Sequence, residues 1–291
     1  MRSLLLVSSL ALAACLYAEP WELSVDANLT LTQNSYSDNW AGGETGSVAW
    51  VSTSNASAKK QLTEKLNSTS TLKLSFGQTH SQDAVTKNWL KPAKTTDLVD
   101  FETILRFTLG AFVDPFVSGR LETQFLDQRD TTKTPTFNPM TLTESAGVAK
   151  IHIKEDKREW SSRLGFGLRQ HIDRDVLIDP VNDIRETQTS NDGGINFVSE
   201  FKSPLAKERI TLNSKLTLFK AVFFSEADAL EGLPNQNYWK AVDINWENIF
   251  AASISKYIMV SLYLQLLYDK EIDLAGRFKQ TLALGLTYKL V

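Results

Sequence analysis

The sequence predicts an all-β chain, a closed antiparallel transmembrane β-barrel of about twelve strands. Three observations carry that reading. Apolar and polar side chains alternate along segment after segment. Many of these segments reach the ~9–11 residues that a tilted strand needs to cross a bilayer. The connections between them alternate long and short, as expected when short turns lie on the periplasmic side and long loops outside.

The closing hairpin shows the alternation most clearly. Phe278, Leu282, Leu284, Leu286, Tyr288 and Leu290 share one parity, and Lys279, Thr281, Ala283, Gly285, Thr287 and Lys289 the other. Because strand side chains point to opposite faces in turn, one face is oily and the other small or polar. The preceding run repeats this with Ile258, Val260, Leu262, Leu264, Leu266 and Tyr268.

No run of ~18 apolar residues follows the leader, which excludes helical membrane spans. A net charge of −3 over 291 residues is too small to imply a nucleic acid or other polyanion as partner. Residues 1–18 read as a secretory leader, with Arg2 before an apolar stretch and Ala18 at the cleavage point, and residues 19–291 read as the barrel. A second processing route is open, since Leu12-Ala13-Ala14-Cys15 resembles a lipoprotein box in which Cys15 becomes lipid-modified. Cys15 is the only cysteine, so cleavage after Ala18 leaves a mature chain without thiol chemistry.

Along the chain, Trp21, Leu23, Val25, Leu29 and Leu31 open the first strand, followed by a loop near Tyr36 to Gly46. A weakly apolar strand near Ser47 to Ser57 turns at Lys59-Lys60-Gln61 into Leu72, Leu74 and Phe76. After a polar loop from His80 to Asp97, Phe101, Leu105 and Phe107 alternate with Glu102 and Arg106. A turn at Val113-Asp114-Pro115 leads to Val117 and Leu121 against Arg120 and Glu122, then to a loop holding Pro135 and Pro139. The next pair of strands turns at Glu155-Asp156-Lys157 and sets Leu164, Phe166 and Leu168 against Arg163 and Arg169. Asp173 to Gly193 reads as the longest loop, and the rest follows through Ile195, Leu216 and Trp246. Six long connections alternate with five short ones.

Alternation by itself also fits a soluble barrel with the oily face inward. Here the other face is rich in Ser, Thr, Gly and Asn with charges of both signs, which suits a crowded wet lumen. Trp21, Trp160, Trp239, Tyr268 and Tyr288 lie near segment ends, where interfacial girdles form. The expectation is an apolar exterior.

Three stretches carry a family resemblance: Asn39-Trp40-Ala41-Gly42-Gly43-Glu44 after the first strand, Asp114-Pro115-Phe116 running on to Phe125, and Leu267-Tyr268-Asp269-Lys270. On these the chain resembles a group of bacterial outer-membrane proteins, the domain of unknown function three-zero-seven-eight. The resemblance implies an outer-membrane barrel with no known activity. One departure concerns delivery: the chain ends Lys289-Leu290-Val291, without the terminal aromatic by which insertion machinery recognises many such barrels.

The lumen candidates are Glu102, Arg106, Arg120, Glu122, Arg163, Arg169, Lys215, Asp243 and Glu247. Lining a wet passage, they would set its selectivity as charged rings do in pores; as salt-bridged pairs, they would plug a narrow barrel. Arg106, Arg120 and Glu122 are expected to interact, and mixed signs argue against strong ion selectivity. Trp40 and Glu44 could form a ligand-binding loop tip, against the plainer reading of an anchored turn built on two glycines. Asp173, Asp175, Asp179, Asp183 and Asp192 make one outer loop acidic, but their spacing matches no calcium-binding loop, so a solvated loop is expected and no metal site. His171 with Asp173 is the one pairing that could orient a base for hydrolysis, yet no Ser-centred motif accompanies it.

The expected protein is therefore a barrel of the bacterial outer membrane and not an enzyme, with no cofactor. Its expected partners are membrane lipid and lipopolysaccharide, the insertion machinery, and small solutes. A passive channel and a structural or adhesive barrel with a plugged lumen are the two readings carried forward, with a barrel hydrolase third.

Overall fold

The computed structural model describes residues 20–37, 44–130, 132–255 and 258–289. The leader, Cys15 and Trp40 lie outside the described residues. Twelve strands run Glu22–Asn34 (β1), Ser47–Thr63 (β2), Leu66–Ser81 (β3), Ala93–Phe107 (β4), Asp114–Thr123 (β5) and Met140–Lys154 (β6) in the first half. The second half contributes Glu159–Asp179 (β7), Ile184–Leu205 (β8), Ile210–Phe224 (β9), Val242–Ser253 (β10), Ile258–Tyr268 (β11) and Arg277–Lys289 (β12). Every strand pairs antiparallel with its neighbours in sequence, and β1 pairs with β12 to close the barrel. The closing seam is a short ladder, from Asp26 opposite Lys289 to Leu29 opposite Leu286.

The two faces are arranged as the alternation predicts. Leu282 is 69 % exposed, Leu284 61 % and Phe166 46 %, whereas Arg163 is 7 % exposed and Glu102 8 %. The described residues bury ten polar or charged side chains and only five apolar ones, Phe116, Ala149, Val198, Phe219 and Ala221. A water-soluble domain has the opposite interior. Here Phe278, Leu282, Leu284 and Leu286 of β12 face outward, as do the oily residues along most of β7, and the interior is a charged lumen. Its apolar part is small and specific: Phe116 lies opposite Gly147, which lies opposite Gly165. A Cβ at Gly147 would sit 2.2 Å from the Leu164 carbonyl oxygen, so glycine is what lets β6 and β7 approach there.

Aromatic rings mark the end of the barrel that carries the long connections. Trp50 lies 5.8 Å from Phe76, Phe76 6.0 Å from Phe125, and Phe125 6.0 Å from Phe137, a continuous row around the outer wall. At the opposite end Trp160 stacks on His152 at 4.3 Å, and Lys60 Nζ lies 5.5 Å from the Trp21 ring. Trp239 instead sits in a short 3-10 turn (Tyr238–Lys240) of the β9–β10 connection, 6.3 Å from Phe224. The Tyr288 side chain lies outside the described residues.

Two expectations are corrected. The turn placed at Lys59-Lys60-Gln61 falls later, because β2 runs on to Thr63 and β3 begins at Leu66. The Thr63 hydroxyl accepts from the Leu66 backbone N–H at 3.1 Å, a turn signal carried by one side chain rather than by glycine or proline. The larger correction concerns Asp173 to Gly193, which is no loop. β7 and β8 continue through it as a paired ladder to a tip at residues 180–183, with register shifts between Asp173 and Val176 and between Leu177 and Asp179. Bulges and charge mask the alternation in that stretch.

Candidate functional site

The candidate site is the lumen. Its centre is Glu102 on β4, which accepts from Arg163 Nη1 on β7 at 2.8 Å and from Lys215 Nζ on β9 at 3.0 Å. Lys215 also reaches Glu200 Oε1 on β8 at 3.3 Å. Beside this group Arg120 on β5 holds Asp100 on β4 through two bonds, at 2.8 and 3.0 Å, and Glu122 at 2.9 Å. Lys73 on β3 donates to Glu247 on β10 at 3.2 Å, and the Tyr263 hydroxyl on β11 donates to the other Glu247 oxygen at 3.0 Å.

Positions around the ring turn these pairs into a partition. β3 and β10 are five strands apart by the shorter way round, and so are β4 and β9. At about 4.8 Å per strand that is roughly 24 Å of wall, yet the side chains meet directly. Two ion-pair chords, Lys73–Glu247 and Lys215–Glu102, therefore cross the lumen from nearly opposite walls. The septum is made of side chains alone. Four bases (Lys73, Arg120, Arg163, Lys215) face five acids (Asp100, Glu102, Glu122, Glu200, Glu247), so it is nearly neutral. Water still reaches parts of it, with the Lys73, Glu122 and Glu200 side chains 32, 35 and 41 % exposed.

A second cluster lies toward the end that carries the long connections. Arg169 on β7 binds Asp192 on β8 at 2.5 Å and Asp243 on β10 at 2.9 Å, with its guanidinium 3.7 Å over the Phe219 ring. Asp192 was expected in a solvated acidic loop; instead it is 3 % exposed and faces the lumen, because the strands extend past it. Arg106 does not join Arg120 and Glu122. It approaches Asp114 at 3.9 Å near the short-turn end.

Of the remaining acids of the supposed loop, Asp173, Asp175 and Asp183 each meet a base, and Asp179 caps its own turn, accepting from the Val181 backbone N–H at 2.9 Å. Asp173 accepts from Arg129, and Asp175 lies 2.6 Å from Lys133, which straps the β5–β6 connection onto the β7–β8 hairpin. Asp130 lies 2.6 Å from Arg185 in the same strap. At its root Asn138 is fully buried, donating to Asp127 and Asp173 at 2.9 Å each and accepting from the Arg174 backbone N–H at 2.8 Å. The described residues hold no group of three or more His, Cys, Asp or Glu placed to bind a metal.

Hydrogen bonds from Arg129 pull the Asp127 carboxyl down to about 2, helped by the Arg129 backbone N–H and by Asn138. A depressed carboxylate stabilises the folded arrangement above its unfolded value, and that contribution disappears as pH falls through the folded value. The strap is thus expected to hold at neutral pH and to loosen between about pH 4 and pH 2. Protease cleavage within residues 132–136 would report it, with Arg129→Gln showing the acid pattern already at neutral pH. Equal cleavage of both proteins at pH 7 would rule the strap out.

His171 and Asp173 are not brought together as an acid–base pair. His171 Nδ1 lies 3.1 Å from the Thr141 hydroxyl and Nε2 3.9 Å from Asp192, while Asp173 is taken by Arg129. Glu44 is exposed and engages Lys87 only through its backbone oxygen, at 3.1 Å. Asp100 escaped the sequence reading, though it shares the parity of Glu102 and one more step back along β4 would have found it. Tyr263 also escaped, since nothing local marks a phenol as the partner of a distant Glu247.

The class these features define is a closed twelve-stranded antiparallel barrel with an oily exterior and an ion-paired interior. Residues 31–128 match the model of a family described as Protein of unknown function (DUF3078). That span includes the glycine-rich first loop and Asp114-Pro115-Phe116, and stops short of the closing hairpin. No curated protein matches the chain. Among solved structures it is similar to an outer membrane channel from Pseudomonas putida F1, at 15 % identity over 92 % of this chain and 93 % of that one, with a TM-score of 0.43. The translocator domain of the autotransporter NalP from Neisseria meningitidis follows at 8 % identity, 96 and 92 % coverage and a TM-score of 0.36. OprB from Pseudomonas putida shows 10 % identity, 92 and 93 % coverage and a TM-score of 0.30.

Proposed function

We propose that this chain sits in the bacterial outer membrane and passes small polar solutes through a lumen that the septum narrows. Lipid is the solvent that suits its exterior. Antiparallel pairing around the ring satisfies backbone groups without water, and exposed Leu and Phe rows gain nothing from facing an aqueous phase. The single observation that carries the channel reading is the septum itself, a partition of wetted, ion-paired side chains with no inserted domain among the described residues. Such a partition admits small polar species where a few rotamers move, and its balanced charge gives weak selectivity between cations and anions.

Planar-bilayer recording tests this. The wild type is expected to show small conductance steps, and the double variant Lys73→Ala/Glu247→Ala steps several-fold larger. Removing both ends of the chord leaves no orphan charge, which isolates the change in bore from a change in stability. Electrical silence of both proteins, correctly folded, would favour the structural reading with a plugged lumen.

A further inference from the structure

We infer that the outer wall of the barrel carries a saccharide-binding pocket at the level of the aromatic row, and that its occupant is the sugar headgroup of a glycolipid. The inference rests on the membrane placement proposed above, and concerns a site outside the lumen. A cavity of about 400 Å³ lies among Val48 and Trp50 of β2, Gln78 and His80 of β3, and Trp89 and Pro92 of the β3–β4 connection. Its size falls within the roughly 300–1,000 Å³ usual for small-molecule sites.

Register places the pocket on the outside. Trp50 lies opposite Leu31 and Gln78, and Val48 opposite His80, all on the parity that points away from the lumen. Trp50 is also the first ring of the row that continues through Phe76. Rings of this kind settle where acyl chains give way to headgroups. The pocket therefore opens sideways at headgroup depth.

Its roof is built. Gln82 and Trp89 form a β-bridge, and the Leu90 backbone N–H donates to the Ser81 carbonyl at 2.9 Å. The Asp83 carboxylate accepts from the backbone N–H groups of Val85 and Thr86 at 3.0 and 2.7 Å, which holds the turn between them. Lys87 ties the same turn to the Glu44 carbonyl at 3.1 Å. The result presents Trp89 over the wall, its ring 4.9 Å from His80.

The lining selects the ligand. Two indoles and a proline make apolar walls, while no hydrogen bond to the Gln78 amide or the His80 ring is found among the described residues. An acyl chain would cover those polar groups and leave them dry, at a cost for each unmet donor or acceptor. A pyranose ring has C–H faces for the aromatic walls and hydroxyl edges for Gln78 and His80, so it satisfies both. A sugar carried on a lipid anchor arrives at this depth without a separate encounter from solution.

Native mass spectrometry of the full chain in phosphatidylcholine nanodiscs containing a minor fraction of diglucosyl diacylglycerol would test the site. The expected result is saturable retention of the diglucosyl lipid in preference to phosphatidylcholine, weakened about tenfold by Trp89→Ala and several-fold by Gln78→Ala. Val85→Ala, on the same connection, is expected to leave retention unchanged. Trp89 is half exposed, so its loss spares the barrel, and circular dichroism of each variant checks that. Equal retention of both lipids would make the pocket an acyl groove and overturn the inference. So would indifference to both variants, or binding of free maltose without preference for the glycolipid. Flotation with pure phosphatidylcholine vesicles keeps the two readings separate: a chain that floats yet fails these tests loses only the pocket, and one that does not float loses the membrane placement too.

Discussion

Leu284→Arg is expected to cost about 2–4 kcal/mol of folding stability in a bilayer, the penalty for an arginine on the lipid face of a barrel near the midplane. Leu284 lies midway along β12, opposite Val260 of β11, and is 61 % exposed with no side chain above it to pair with a guanidinium. In lipid the arginine has no partner and must drag water inward or distort its strand. In an aqueous setting the same change at so exposed a position would cost almost nothing, within about 0.5 kcal/mol. The variant thus separates the two possible surroundings of the outer face. Urea titration of the chain folded into short-chain phosphatidylcholine vesicles measures it, with Leu284→Phe as the tolerated control. A loss below ~0.5 kcal/mol would place that face in water.

Glu102→Gln is expected to destabilise the barrel by about 3–5 kcal/mol, the usual result of removing one partner from a buried ion cluster. Glu102 is 8 % exposed and engages Arg163 and Lys215 with separate oxygens, so the substitution strands two cations at once. Glu200 compensates only in part, since it lies 3.3 Å from Lys215 but 4.0 Å from Arg163 Nη2. Adding Lys215→Met should return much of the lost stability, because the change then removes a pair and not half of one. The comparison is a double-mutant cycle by denaturant unfolding. If Glu102→Gln alone costs less than ~1 kcal/mol, bulk water screens the Glu102 pairs and Glu102 is not the buried centre of the septum.

The legibility of this chain differs by element. β11 and β12 could be read as strands almost residue by residue, because their long period-two alternation, broken only at Leu267 and Gln280, has a strand as its explanation. Of the lumen candidates, Glu102, Arg120, Glu122, Arg163, Lys215 and Glu247 are put inside by parity, and the closed ring brings them together in one septum. β7 and β8 beyond Arg169 could not be read. Two register shifts and a run of aspartates break the alternation there, and the compensating bases, Arg129 and Lys133, come from a connection some forty residues away. Arg106 shows the same limit at close range: it shares a face with Arg120, but Asp114 is the acid it reaches.

The sequence by itself determined the barrel class, the hairpin order around it and, outside the β7–β8 tip, which side chains face in or out. Each of these follows from nearest-neighbour regularities: period-two alternation, segment length and the rhythm of the connections. Only the tertiary structure decided who meets whom across the lumen, that the β7–β8 connection is a strapped hairpin, and that Trp89 folds back over His80. Those outcomes depend on how far the ring's opposite walls stand apart and on which distant charge neutralises which. A local pattern fixes a side chain's direction, and only the closed ring supplies what that direction meets.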